Sequence, residues 1–291
     1  MSSAQESHGA GSLWNYNPSF IGGIIATSIF GILTFAHIFR IITTKTKICI
    51  PFIFAAFNEA MGWLFRVLSH NNTSQGMFFM IQFSMLLISP IMAAAGLYAV
   101  VRCIMQMCEA AERSPVHPRL FARTFGIVDM VCILMITVGG TMGMQGNKAG
   151  DQVLLGGLGI QSASFSAFAV ITFIWHRRII AAPTVETKMM DGTIWSNMWF
   201  MYAALACIKV RNAGRFAEFL LGKDGFLQQN EWPLFVYDLV PVAIALAACL
   251  KFYGQDFRSF RERGMMELRD EDNETSSRSS QVGLRGRVEL A

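Results

Sequence analysis

A chain of 291 residues with 53% AVILMFWYC and only 15% charged residues has a mean hydropathy of +0.41, against roughly 25% charge in a soluble domain. That composition excludes an ordinary soluble enzyme, and a net charge of +4 gives no basis for nucleic-acid binding. With 24 Phe, 18 Met and 6 Trp, much of the surface must face lipid.

Residues 1–18 are polar and lack a basic segment with a cleavage site, so no removable signal peptide is expected and the first apolar run is the targeting signal. Runs of about 20 apolar residues, enough to cross roughly 30 Å of hydrocarbon, follow at Phe20–Phe39, Cys49–Leu68, Met77–Val101, Phe121–Met144, Val153–Trp175, Trp195–Leu221 and Trp232–Tyr253. The expected fold is therefore an all-α membrane protein. It is a seven-transmembrane-helix bundle over residues 19–253, with a short extracellular N-terminus (1–18) and a cytoplasmic tail (254–291). Runs two, six and seven contain ionisable residues, and an amphipathic or re-entrant helix is their alternative. The tail turns Arg-rich and then acidic, which predicts disorder. Within it, Arg258, Arg261 and Arg263 suit anionic headgroups and the serines phosphorylation; a solvated tail with no specific role is the alternative.

Seven crossings put Arg40, Lys45, Lys47, Arg102, Arg113, Arg119, Arg123, Arg177, Arg178 and Lys188 on one side, and only Lys148 and Lys223 in the loops opposite. The positive-inside rule then sets the N-terminus outside and the C-terminus in the cytoplasm. Asn71 and Asn72 open overlapping sequons in a predicted outer loop, a candidate glycosylation site. None of the six cysteines falls in such a loop, so no outer disulfide framework is expected. Cys103 and Cys108, just past run three, suit either packing or palmitoylation.

Leaving aside Arg123 and Lys251 at the run ends, eight charged residues lie inside the runs: Glu59, Arg66, Asp129, Lys209, Arg211, Arg215, Glu218 and Asp238, four of each sign. Left unpaired they would cost on the order of 20 kcal/mol, so mutual pairing is expected. Glu59 and Arg66 are seven apart, and Arg211, Arg215 and Glu218 follow i, i+4, i+7, so each set occupies one helix face. Counted from the helix ends, Arg66, Arg211, Arg215, Glu218 and Asp238 fall in the outer half, with Gln82 and Gln161 at similar depth and Lys209 off the stripe. This predicts a polar cavity between runs two, three, five, six and seven, opening outward. Its candidate ligand-binding residues are Glu59, Arg66, Gln82, Asp129, Gln161, Arg211, Arg215, Glu218 and Asp238. A lattice that only locks helices together is the alternative.

Pro90 and Pro241 should kink runs three and seven. Gly139, Gly140, Gly143, Gly156, Gly157, Gly159 and Ser162 to Ser166 offer small surfaces for close helix approach. Trp14, Tyr16, Trp63, Trp175, Trp195, Trp232 and Tyr253 sit near span ends, where interfacial anchors are found. There is no GxxxxGK loop, no HExxH and no His or Cys pair at metal spacing. No metal, cofactor or catalytic residue is assigned and no enzyme activity is expected. An intramembrane enzyme using Asp129 or Glu59 as acid or base would lack a nucleophile. His37, the one histidine within a run, is expected to pack.

A series of residues in order carries a resemblance. It comprises Tyr16-Asn17-Pro18-Ser19, Glu59-Ala60-Met61-Gly62-Trp63-Leu64-Phe65-Arg66, Gln82 through Ser89-Pro90 to Ala95 and Tyr98, and Asp129 followed by Gly139-Gly140. It continues with Gly157-Leu158-Gly159-Ile160-Gln161, then Arg211, Arg215, Glu218, Gly222, Asp224-Gly225, Glu231-Trp232 and Tyr237-Asp238. Over residues 16 to about 253 the chain resembles the fungal RTA-like lipid-translocating exporters. One departure is Gly214, where the family pattern places an aromatic; an apolar residue near Ile136 replaces a glutamine, and Tyr253-Gly254 replaces a His-Pro-Gly pattern. The resemblance implies seven helices and transbilayer movement of sphingoid bases, with a role in resistance to toxic amphiphiles or lipid stress. Membrane lipids and an amphiphilic small molecule are the expected partners. An ammonium headgroup would meet Glu59, Glu218 and Asp238, with Arg66, Arg211 and Arg215 holding those carboxylates ionised when no substrate is bound. Without a nucleotide site, movement is facilitated or ion-coupled. A lipid or stress sensor, with Arg113 to Arg123 and the tail contacting a cytoplasmic partner, remains the alternative. The plasma membrane is the expected location, with vacuole and endoplasmic reticulum also open.

Overall fold

The computed structural model describes residues 18–70, 76–108, 110–115, 118–184, 187, 193–222 and 225–254. The sequons at Asn71 and Asn72, together with Trp14, Tyr16 and nearly all of the tail, lie outside them. Among the described residues there is no strand. Seven long helices follow one another: α1 (Phe20–Thr44), α2 (Ile50–Ser69), α3 (Gly76–Met107), α4 (Pro118–Met144), α5 (Lys148–Ala181) and α6 (Thr193–Leu221), then α7 (Trp232–Phe252).

Six of them are long and apolar enough to cross a membrane. The other is α6, 29 residues long, whose Lys209, Arg211, Asn212, Arg215 and Glu218 lower its hydropathy. Lipid as solvent explains the surface: on α1 Ile32, Phe35 and Ile42 are 70%, 74% and 67% exposed, which water would not tolerate over so wide a face. The chain is an integral membrane protein.

Helices overrun the apolar runs that reveal them. α3 continues past Val101 to Met107, and α5 begins at Lys148 and ends at Ala181. Hydropathy marks the hydrocarbon layer, whereas the helix itself stops only where its backbone is capped. Ser19 caps α1 by accepting from Gly22 N at 3.2 Å. Lys45, at φ 55°, closes that helix with its N–H on Ile41 O, and Gly222, at φ 71°, follows the last residue of α6.

Sequence neighbours pack in turn from α1 to α7, and α7 returns to α1, while α3 also reaches α5 and α6. The inner position of α3 explains why its Leu86, Leu87, Ile91, Leu97, Val100 and Met105 are all buried. Around it lie Phe52, Phe165 and Phe168, with the Tyr98 and Phe168 rings 4.5 Å apart.

The glycine expectations divide. A Cβ on Gly139 would sit 2.5 Å from Leu154 N, and one on Gly143 2.3 Å from the Asp151 carboxylate, so α4 and α5 touch backbone to backbone there. Gly140 instead receives the Phe83 ring of α3, while Gly156 and Gly159 meet nothing closer than 3.4 Å. Trp63, Trp175 and Tyr253 are core residues rather than interfacial anchors, at 0%, 2% and 2% exposure. Position near a span end suggests the interface, but the face each occupies turns inward. Trp232 alone among the described side chains of that set is exposed. His37 packs as expected, bonding Tyr253 Oη at 2.9 Å and Leu246 O at 3.2 Å, while Arg40 donates to Tyr253 O at 2.8 Å. All six cysteines are free; Cys103 and Cys108 are buried, in line with packing, and Cys207 is partly exposed.

Candidate functional site

The helical spacing of α6 puts Arg211, Arg215 and Glu218 on one face, and that face meets Asp238 of α7. Arg211 Nε donates to Asp238 Oδ1 at 2.7 Å, and Arg215 Nη2 to Oδ2 at 2.6 Å. A single carboxylate thus bridges two guanidiniums, and both Arg211 and Asp238 are 0% exposed. Arg215 also reaches Glu218 Oε2 at 3.0 Å, an oxygen that accepts from Tyr237 Oη at 2.7 Å. Arg211 lies ten residues before the end of α6, about 15 Å along the axis, so the ladder descends from the end where α6 finishes toward mid-bundle.

At the top of the ladder Arg66 of α2 pairs with Glu231, which immediately precedes α7, through Nε at 3.1 Å and Nη2 at 2.8 Å. Glu231 also accepts from Ser19 N with both oxygens, at 2.9 and 3.0 Å. One carboxylate therefore ties the starts of α1 and α7 to the end of α2.

The model of the family described as RTA1 like protein matches residues 52–258, and both the ladder and this tie lie within that stretch except for Ser19. The chain belongs to the RTA1-like family. It is 30% identical to Protein RTA1 of Saccharomyces cerevisiae over 66% of this chain and 61% of that one. It is 26% identical to Protoporphyrin uptake protein 1 of the same organism over 76% and 74%, and 24% identical to its Sphingoid long-chain base transporter RSB1 over 81% and 72%. No solved structure matches.

Of the eight charges in this RTA1-like bundle, only Arg211, Arg215, Glu218 and Asp238 join one network. The expected mutual pairing of all eight is corrected at the other four, Glu59 among them. Arg66 takes Glu231, a residue outside the spans, because Glu59 sits two helical turns deeper on α2. Lys209 is held by oxygens without charge, Ser162 O at 3.1 Å and Ser162 Oγ at 2.9 Å, with Ser166 Oγ beside them. Asp129 stands apart on α4, beside Tyr98 and Cys132.

Glu59 lies against the ladder, with Arg211, Arg215, Asp238 and Ser89 as its charged and polar neighbours. It is 0% exposed, and neither carboxyl oxygen has a hydrogen-bond partner among the described residues. Gln82 and Gln161 are buried, with Gln82 Oε1 unpartnered among the described residues. The expected outward-opening cavity is also corrected: Glu59, Arg66, Gln82, Asp129, Gln161, Arg211, Arg215 and Asp238 are all buried, since the two arginine side chains fill the space the acids would line. A narrow crevice without room for a water molecule lies elsewhere, between α3 and α4, lined mainly by apolar residues such as Phe83, Leu87, Ile91 and Ile136.

Two prolines shape the ladder. Pro90 lies inside α3 without ending it, and a proline has no N–H for the carbonyl four residues back. That carbonyl is Leu86 O, and Arg211 Nη2 donates to it. In α7, Phe235–Leu239 forms a turn of π-helix, with Val240 N–H on Phe235 O, directly before Pro241, which cannot supply the α-helical bond to Tyr237 O. The wider turn brings Tyr237 and Asp238 together against α6, and the Tyr237 ring fills the place beside Gly214, where an added Cβ would be 2.6 Å from it. In this RTA1-like chain Gly214 thus leaves the room that the Tyr237 ring takes up.

Replacing a mid-helix proline ordinarily stabilises by up to about 3 kcal/mol. Pro90→Ala is expected to gain far less than that. The new N–H competes for Leu86 O, Arg211 loses a charged hydrogen bond of about 2 kcal/mol, and the melting temperature in detergent hardly moves. A rise matching the full proline penalty would show that Leu86 O is unimportant to Arg211.

Proposed function

We propose that this protein is a lipid-translocating exporter that moves single-chain amphiphiles with a cationic headgroup, sphingoid bases among them, across a fungal membrane. The observation that carries this is the ladder of Glu218 and Asp238 with Glu59 against it. Intramembrane carboxylates are costly, and a scaffold needs none of them. An ammonium headgroup offers each acid a replacement for an arginine, while the acyl tail stays in lipid. Relatives named for sphingoid long-chain base transport and protoporphyrin uptake support an amphiphile as cargo.

On this reading all seven helices cross, with α6 carrying its charges inward. The N-terminus faces outside, because Arg40, Lys47, Arg102, Arg178 and Lys251 gather at the opposite end from Lys148. The plasma membrane is the proposed site, and no catalysis is assigned. The test is reconstitution of the full chain in liposomes with a fluorescent sphingoid base, beside Glu218→Gln. Wild-type protein is expected to speed transbilayer movement at least tenfold over empty vesicles, and Glu218→Gln to slow it. Binding without movement by folded protein would replace the exporter with a sensor.

A further inference from the structure

The ladder holds an odd number of acids. Arg211 and Arg215 balance Asp238 and Glu218, and Glu59 remains without a counter-charge. From α2 itself the nearest basic residue is Arg66, which is committed to Glu231. From α3 Glu59 meets Ser89, from α6 Arg211 and Arg215, and from α7 Asp238. Ser89 donates to Ala55 O at 2.9 Å, and a neutral hydroxyl beside Glu59 supplies no counter-charge in any case. An uncompensated carboxylate at 0% exposure would cost several kcal/mol, whereas a carboxylic acid there is neutral.

Unused donors show what would meet the carboxylate once its proton has left. Arg211 Nη1 and Arg215 Nε have no partner among the described residues, and both belong to the guanidiniums facing Glu59. Two cations serving three acids leave one acid over in any arrangement. That acid must carry a monocation, and the two candidates are a proton and an ammonium headgroup.

We propose that Glu59 is the proton-carrying site of a one-for-one exchange, in which the carboxyl O–H bond breaks, the proton leaves to the facing aqueous side, and the amphiphile's ammonium takes its place. This rests on the exporter reading above and adds its energy source. The bundle is neutral with either occupant, and only the empty site leaves a buried charge, so the cycle returns loaded. Exchange is electroneutral and is driven by a pH gradient alone.

The test uses the full chain in phosphatidylcholine vesicles with a pH dye in the lumen, and N,N,N-trimethylsphingosine as probe, a fixed cation that cannot itself carry a proton. With membrane potential clamped at zero, each pH unit is expected to hold about a tenfold concentration ratio of probe, and probe addition is expected to move protons the other way. Glu59→Gln, which keeps shape and neutrality, is expected to fold normally and to abolish both responses. Infrared difference spectra give a readout independent of movement: the carbonyl band of a protonated acid at neutral pH, absent in Glu59→Gln. Probe movement without proton movement, a gradient response that survives Glu59→Gln, or no such band would overturn the exchange while leaving the exporter standing. No movement of this probe or of a sphingoid base by folded wild-type protein would remove both.

Discussion

Asp238→Asn is expected to destabilise the bundle by about 3–5 kcal/mol, the usual cost of breaking a buried ion pair from one side. The asparagine matches the aspartate in size but leaves two guanidiniums, bound at 2.7 and 2.6 Å, without their shared counter-charge. Asn cannot accept from both with full strength, and Arg211, at 0% exposure, has no water to turn to. Thermal unfolding in detergent, followed by intrinsic fluorescence, reads this directly. Removing charge from both sides should recover much of the loss, so Arg211→Met with Asp238→Leu is expected to be more stable than Asp238→Asn alone. Glu218→Gln should cost about 1 kcal/mol or less, because Glu218 is 14% exposed and Asp238 still serves Arg215. Equal losses at positions 218 and 238 would mean that the ladder is not graded by depth.

Gly139→Val should be as damaging for a different reason. Its Cβ would lie 2.5 Å from Leu154 N and 2.8 Å from Gly150 O, and backbone cannot rotate away as a side chain does. The α4–α5 contact must open along its length, and overpacking of this kind costs about 1–3 kcal/mol or more. Gly156→Val is the matched control, since its nearest neighbour is the flexible end of Met135 at 3.7 Å. The pair separates close approach from the general effect of putting a β-branched residue in a helix. Yield of monodisperse protein and melting temperature should both fall for position 139 and hold for position 156.

The sequence made the helices legible because lipid demands long apolar runs, and it made the polar face of α6 legible because helical periodicity aligns positions 211, 215 and 218. It did not reveal partners. Glu231 lies beyond the hydrophobic run and so escaped a search confined to intramembrane charge, although its place beside Trp232-Pro233, at the start of α7, was a usable signal. The π-turn at Phe235–Leu239 depends on which carbonyl each amide selects, and Pro241 hinted only at a disturbance. Occlusion was equally hidden, since composition counts charges without telling whether an arginine lines a space or fills it. Asp129 shows the limit of depth counting: it carries the same chemistry as Asp238 yet sits on α4, whose polar neighbour is Tyr98 rather than the arginines.

The placement of the cysteines gives the molecule a practical property. Five of the six are buried and Cys207 is partly exposed on a lipid-facing helix, so a membrane-impermeant thiol reagent finds the native chain nearly silent. One cysteine placed at Gln145, exposed in the α4–α5 turn, or at Lys47, exposed at the other end, becomes an address at a known end of the bundle. Sidedness can then be read in intact cells from the natural sequence, without first stripping out thiols that pack the core.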